Sequence, residues 1–73
     1  MAKSISAFAA AVNQNVRAEI ARADIKDAEL LATLGITRDT LATRRKGERE
    51  WTLGEIEKIA GLVEQSIDVL TRT

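Results

Sequence analysis

The sequence predicts an all-α fold, a compact five-helix domain built around a helix-turn-helix, and three observations carry that expectation. The chain has no Pro and only four Gly in 73 residues, so little in it breaks helices. Its apolar residues recur at steps of three and four, the spacing that lines one face of a helix. Gly35, Gly47 and several small polar residues fall between those runs, where helices begin and end.

The first helix is expected to start near Ser4 or Ser6, since either hydroxyl can cap free backbone N–H groups. Ile5, Phe8, Val12, Val16 and Ile20 form its apolar stripe. Asn13 and Asn15 are poor helix formers and mark a weak spot. The end is expected around Ala23-Asp24, without a glycine stop. The second helix, about Asp27 to Leu34, turns Leu30, Leu31 and Leu34 inward. Gly35 then closes it, because a left-handed residue without a Cβ costs little there. Ile36 plugs the turn, and Thr37 is a good cap for a third helix, about Arg38 to Lys46. Gly47 stops that helix in the same way.

Thr52-Leu53-Gly54-Glu55 reads as a capping box opening a fourth helix. Leu53, Ile56, Ile59, Ala60 and Val63 are its inward residues. Ser66 is placed to cap a short fifth helix carrying Ile67 and Leu70. With no linker, repeat or low-complexity tract, residues 1–73 read as one domain.

Composition narrows function. Apolar residues are 45% of the chain, with one Phe, one Trp and no Tyr, so Ala, Leu, Ile and Val must form the core. With no Cys there is no disulfide, and a reducing cytoplasm is the expected compartment. With no His or Cys there is no zinc finger, thiol nucleophile or Ser-His triad. The carboxylates mostly sit at helical spacing from Lys or Arg, as solvated surface pairs do. An enzyme is therefore not expected, nor is a cofactor, a metal or a small-molecule substrate. The apolar run Ile5–Val12 stops at Asn13-Gln14-Asn15 without a small-residue cleavage site, and is too short to span a bilayer. No membrane association is expected.

The net charge is zero, but it is unevenly placed. Residues 38–49 hold Arg38, Arg44, Arg45, Lys46 and Arg49 against Asp39 and Glu48, a local charge of +3. Residues 50–73 carry −3. Attraction to phosphate follows the local potential, so the basic stretch matters more than the total.

Leu30 to Leu41 contains two short helices meeting at a tight turn, the unit whose second helix enters the major groove of DNA. On a wheel of roughly 100° per residue, with Leu41 toward the core, Asp39, Thr43, Lys46 and then Ala42 lie on the opposite face. Arg38 is on the flank but opens the helix, the end that reaches bases in this docking mode. Arg can bond guanine with two hydrogen bonds, and Asp can accept from cytosine N4. Thr43 can bond a base or touch a thymine methyl, and Ala42 permits close approach. An Asp at this position also stabilises the helix dipole. Arg44 and Arg45 lie nearer the inner edge, with packed stems and heads expected to reach outward toward the backbone. Trp51 reads as a packing residue.

These residues resemble the phage repressor and Cro-type helix-turn-helix family (the Xre type), especially short actinobacterial and phage immunity repressors. The shared features are Leu30, Leu34-Gly35-Ile36-Thr37-Arg38, Thr40-Leu41 and Gly47-Glu48-Arg49, followed by Trp51-Thr52-Leu53, Ile59-Ala60 and Leu70. The likeness covers about residues 20–73 well and the first helix loosely. It implies a lambda-repressor-like domain, with Arg38, Asp39 and Thr43 reading bases. It implies backbone contacts from the Asp27 end of the second helix, from Thr37 and Thr40, and from Lys46 and Arg49. There are departures. The family often has Gln at Asp27, a small residue at Leu31, an apolar one at Arg44 and Glu at Arg45. The last change removes a frequent acidic partner for an arginine of the first helix.

The expected function is sequence-specific binding of a double-stranded DNA operator by a cytoplasmic, nucleoid-associated repressor. A homodimer on DNA is expected, since one small module buries only about 600–1,000 Å² there. Leu62, Val63 and Val69 are candidate dimer residues. The alternative is an antitoxin-like or adaptor module that keeps the fold without reading DNA, because folds host many functions. Its working surface would be the acidic C-terminal portion.

Overall fold

The computed structural model describes residues 5–73, so the suggested cap at Ser4 lies outside the described residues. Ser6 accepts a hydrogen bond from the Ala9 amide at 3.1 Å and starts α1 (Ala7–Ala23). Asp24 closes it in the left-handed conformation, at φ 56°. α2 (Asp27–Leu34) follows after two residues. Gly35 takes φ 67° and donates its amide to the Leu31 carbonyl, which ends α2 and frees the chain to reverse. Thr37 accepts from the Thr40 amide and opens α3 (Arg38–Lys46). Gly47, at φ 79°, ends α3. Thr52 and Glu55 form the reciprocal capping box of α4 (Leu53–Val63). Ser66 precedes α5 (Ile67–Leu70), but its hydroxyl makes no cap hydrogen bond. No helix among the described residues is long and apolar enough to cross a membrane.

The core draws on every helix. The largest fully buried side chains are Val16, Leu30, Leu41, Ile59 and Leu70, one from each. Burying such a side chain contributes about 1.5–3 kcal/mol, so each short helix is held by tertiary contact rather than by its own propensity. α1 packs on α4 and α5, and α2 packs on α4. α3 also touches α1, with Leu41 inside at 2% exposure.

The expected weak spot in α1 is instead two fastenings. Asn13 is buried; its Oδ1 accepts from Trp51 Nε1 at 2.9 Å and its Nδ2 donates to the Arg45 carbonyl at 3.2 Å. Asn15 Nδ2 donates to the carbonyls of Leu70 and Arg72, tying down the end of α5. An amide side chain inside a helix is tolerated when a distant partner satisfies it.

The expected stripes are overrun at their edges. Phe8 is 53% exposed and Leu53 81% exposed, where both were expected inward, and Ile67 is also exposed. Ala9 fills the inward position in the first turn of α1. Helical spacing gives a face but not how far the facing layer extends, and these residues open their helices beyond it. Val63, a candidate dimer residue, is buried in the core, and Leu62 packs against it.

Candidate nucleic-acid interface

The polar face of α3 begins at its cap. Thr37 Oγ1 donates to Thr40 Oγ1 at 3.0 Å while accepting from the Thr40 amide, so the two threonines hold each other at the start of the helix. Thr37, Arg38 and Asp39 are exposed, and Thr40, Ala42 and Thr43 are half-buried. Thr43 Oγ1 donates to the Thr40 carbonyl at 2.8 Å. Its proton is committed to the helix, leaving an acceptor oxygen and a methyl for a ligand. Lys46 and Arg49 are exposed and form no ion pair among the described residues.

The remaining cations of the basic stretch are paired within the chain. Arg44 was expected to reach outward; its head turns in. Arg44 Nε donates to Glu55 Oε1 at 3.0 Å, and the two side chains are only 16% and 10% exposed. Glu55 Oε1 also accepts from the Thr52 amide at 2.9 Å, which welds α3 to the start of α4. Burial pushes the Glu55 carboxyl up, but the Arg44 guanidinium and the Thr52 amide pull it down further, and it settles below 4.5.

Arg45 leans the other way. Its Nη2 donates to Asp27 Oδ1 at 2.8 Å, and the Arg38 guanidinium lies 3.9 Å from Asp27 Oδ2. The Arg45 hydrogen bond and charge hold the Asp27 carboxyl below 3.8. Asp27 is the first residue of α2, so this carboxylate joins the start of α2 to both the first and the eighth residue of α3. Arg45 also lines an open recess of about 310 Å³ with Arg17, Asp24 and Ile25. Arg45 finds its acceptor on α2 rather than in that recess.

Two contributors escape a reading of local pattern. Asn13 fixes the backbone of Arg45 from 32 positions away; its signal is an amide on an otherwise apolar face. Lys26 stands at the N-cap of α2 beside Asp27, bonded to Asp24 at 2.9 Å and exposed. Its signal is only that it precedes the first helical residue. Unlike α1, α3 and α4, α2 has no side-chain cap hydrogen bond. The chain matches no family model, no curated protein and no solved structure.

Proposed function

We propose that this chain is a sequence-specific double-stranded DNA-binding protein of the repressor type, which lays α3 in the major groove. The observation that carries the reading is the division of α3. Leu41 is locked in the core, while Thr37, Arg38, Asp39 and Lys46 stay in water on a helix that begins just past a glycine-closed turn. Arg38, with a side chain 72% exposed, stands at the end of α3 that reaches base edges in this docking mode. Asp39 and Thr43 complete the base-reading set. Thr37, Thr40, Lys46 and Arg49 supply phosphate contacts, the commonest kind in such interfaces. Arg44 has no part in it, because its head is spent on Glu55. No catalytic step belongs to this reading.

Selection from randomised duplexes tests it. The expected result is an enriched sequence with two inverted half-sites about 34 Å apart, one turn of DNA. Failure to enrich any sequence would remove base reading. Equal affinity for half-site and full-site duplexes would remove the dimer on DNA alone.

A second reading, a protein-contact module, has one observation in its favour. Phe8 and Leu53 are exposed and flank a recess of about 160 Å³ whose wall includes Trp51, an apolar surface that a partner side chain could cover. Undetectable binding to random duplex even at low salt would favour it.

A further inference from the structure

We infer that Asp27 is a built-in substitute for a DNA phosphate, an acid that holds the cations of the reading edge and thereby sets how tightly the protein binds DNA. The inference rests on the proposed DNA-binding reading and deepens it. Asp27 contributes one carboxylate to two guanidinium groups, 2.8 Å from Arg45 and 3.9 Å from Arg38. Those arginines come from opposite ends of α3, and the carboxylate meets them at the start of α2. A phosphate oxygen approaching this edge meets two features suited to it: the two guanidinium groups and the uncapped amides at the start of α2. It also meets a fixed negative charge already seated among them.

Two consequences follow from that placement. Arg38 and Arg45 can be shared with phosphate only by loosening their hold on Asp27, so part of their attraction is cancelled inside the protein. The repulsion between Asp27 and the backbone also falls equally on all sequences, because it acts on phosphate rather than on bases. Asp27 therefore lowers general affinity while leaving discrimination to Arg38, Asp39 and Thr43. Because all affinities fall by the same factor, the ratio of specific to general binding is unchanged, and what Asp27 sets is the strength and lifetime of binding as a whole.

Asp27→Asn keeps the shape and removes the charge. Glu29→Gln is the control: it changes net charge equally, in the same first turn of α2, at an exposed acid that pairs with neither arginine. Binding of the full chain to a random-sequence 20-base-pair duplex is measured across a salt series by fluorescence anisotropy. Asp27→Asn is expected to bind about five- to tenfold tighter at low salt, with a salt slope steeper by about one unit. Glu29→Gln is expected to gain less than about twofold, because it pairs with neither arginine and its removal frees no guanidinium. Equal gains in the two variants, or no gain in Asp27→Asn while the wild type binds, would overturn the inference and leave the DNA-binding reading standing. If neither the wild type nor Asp27→Asn binds duplex at any salt, both fall.

Discussion

Arg44 and Arg45 are neighbours in sequence, identical in chemistry and opposite in fate. Each finds one carboxylate, but about 100° of helix rotation separates them, so Arg44 meets the start of α4 and Arg45 the start of α2. The Arg44–Glu55 pair is nearly closed to water and shares its acceptor with a capping box. The Arg45–Asp27 pair is open, with side chains 33% and 45% exposed. Ion pairs that water reaches contribute little to stability, whereas breaking one out of its reach is costly. The inner pair therefore belongs to the fold and the outer one to the exposed surface for which we propose DNA binding. Local charge counted along the chain is not the charge presented: of five cations in residues 38–49, only Lys46 and Arg49 have no acid partner among the described residues.

The sharpest way to break the comparison is to remove the inner acid. Glu55→Ala strands Arg44 where water scarcely reaches and takes away half of the capping box. It is expected to cost about 3 kcal/mol, read as a fall in the urea midpoint with an unchanged slope. Asp27→Asn should shift that midpoint far less. If the two variants destabilise equally, the division between inner and outer pairs fails. Asn13→Ala comes next, at about 2 kcal/mol, because the buried Trp51 Nε1 loses its hydrogen-bond partner among the described residues. The same change frees the Arg45 carbonyl, so amide exchange at the end of α3 should quicken as well.

The inner pair was hidden in the sequence for a physical reason. Helix limits are local matters, settled by caps and glycines, and Asp27–Leu34 and Arg38–Lys46 are where Gly35, Thr37 and Gly47 put them. The direction taken by an arginine head depends on which carboxylate the fold brings near, and Glu55 lies eleven positions beyond Arg44. Long side chains on the edge of a face can turn either way, and spacing alone gives no preference. The same blindness applies to Asn13 and Asn15, whose partners lie 32 to 57 positions away. Phe8 and Leu53 show the converse: periodicity continues past the point where anything remains to pack against.

The outer surface is sharpened by comparing the residue proposed to read bases with one proposed to bind phosphate. Arg38→Ala is expected to cost about 1.5 kcal/mol on the selected operator and to relax preference at one base pair. Lys46→Ala should weaken all duplexes alike and flatten the salt slope by about one unit. Uniform weakening by Arg38→Ala would reduce that residue to a backbone contact and leave Asp39 and Thr43 to account for sequence preference.

The smallest effect is on acid stability, and its sign follows from the two carboxylates. Both are more acidic in the folded chain, Glu55 below 4.5 despite its burial and Asp27 below 3.8 through Arg45. A group whose pKa is lowered on folding contributes stability that is complete above its unfolded value and is lost as pH falls through its folded one. Stability should therefore be flat around neutral pH and decline as the pH falls into and through the carboxylate range, with the less exposed Glu55 pair contributing more. Asp27 adds to the decline only weakly, because water screens its pair. Glu55→Gln keeps the shape but cannot titrate, so its stability, lower at neutral pH, should show less of this decline. A wild-type and a Glu55→Gln curve that remain parallel through the acid limb would mean that the inner pair is no tighter than the outer one.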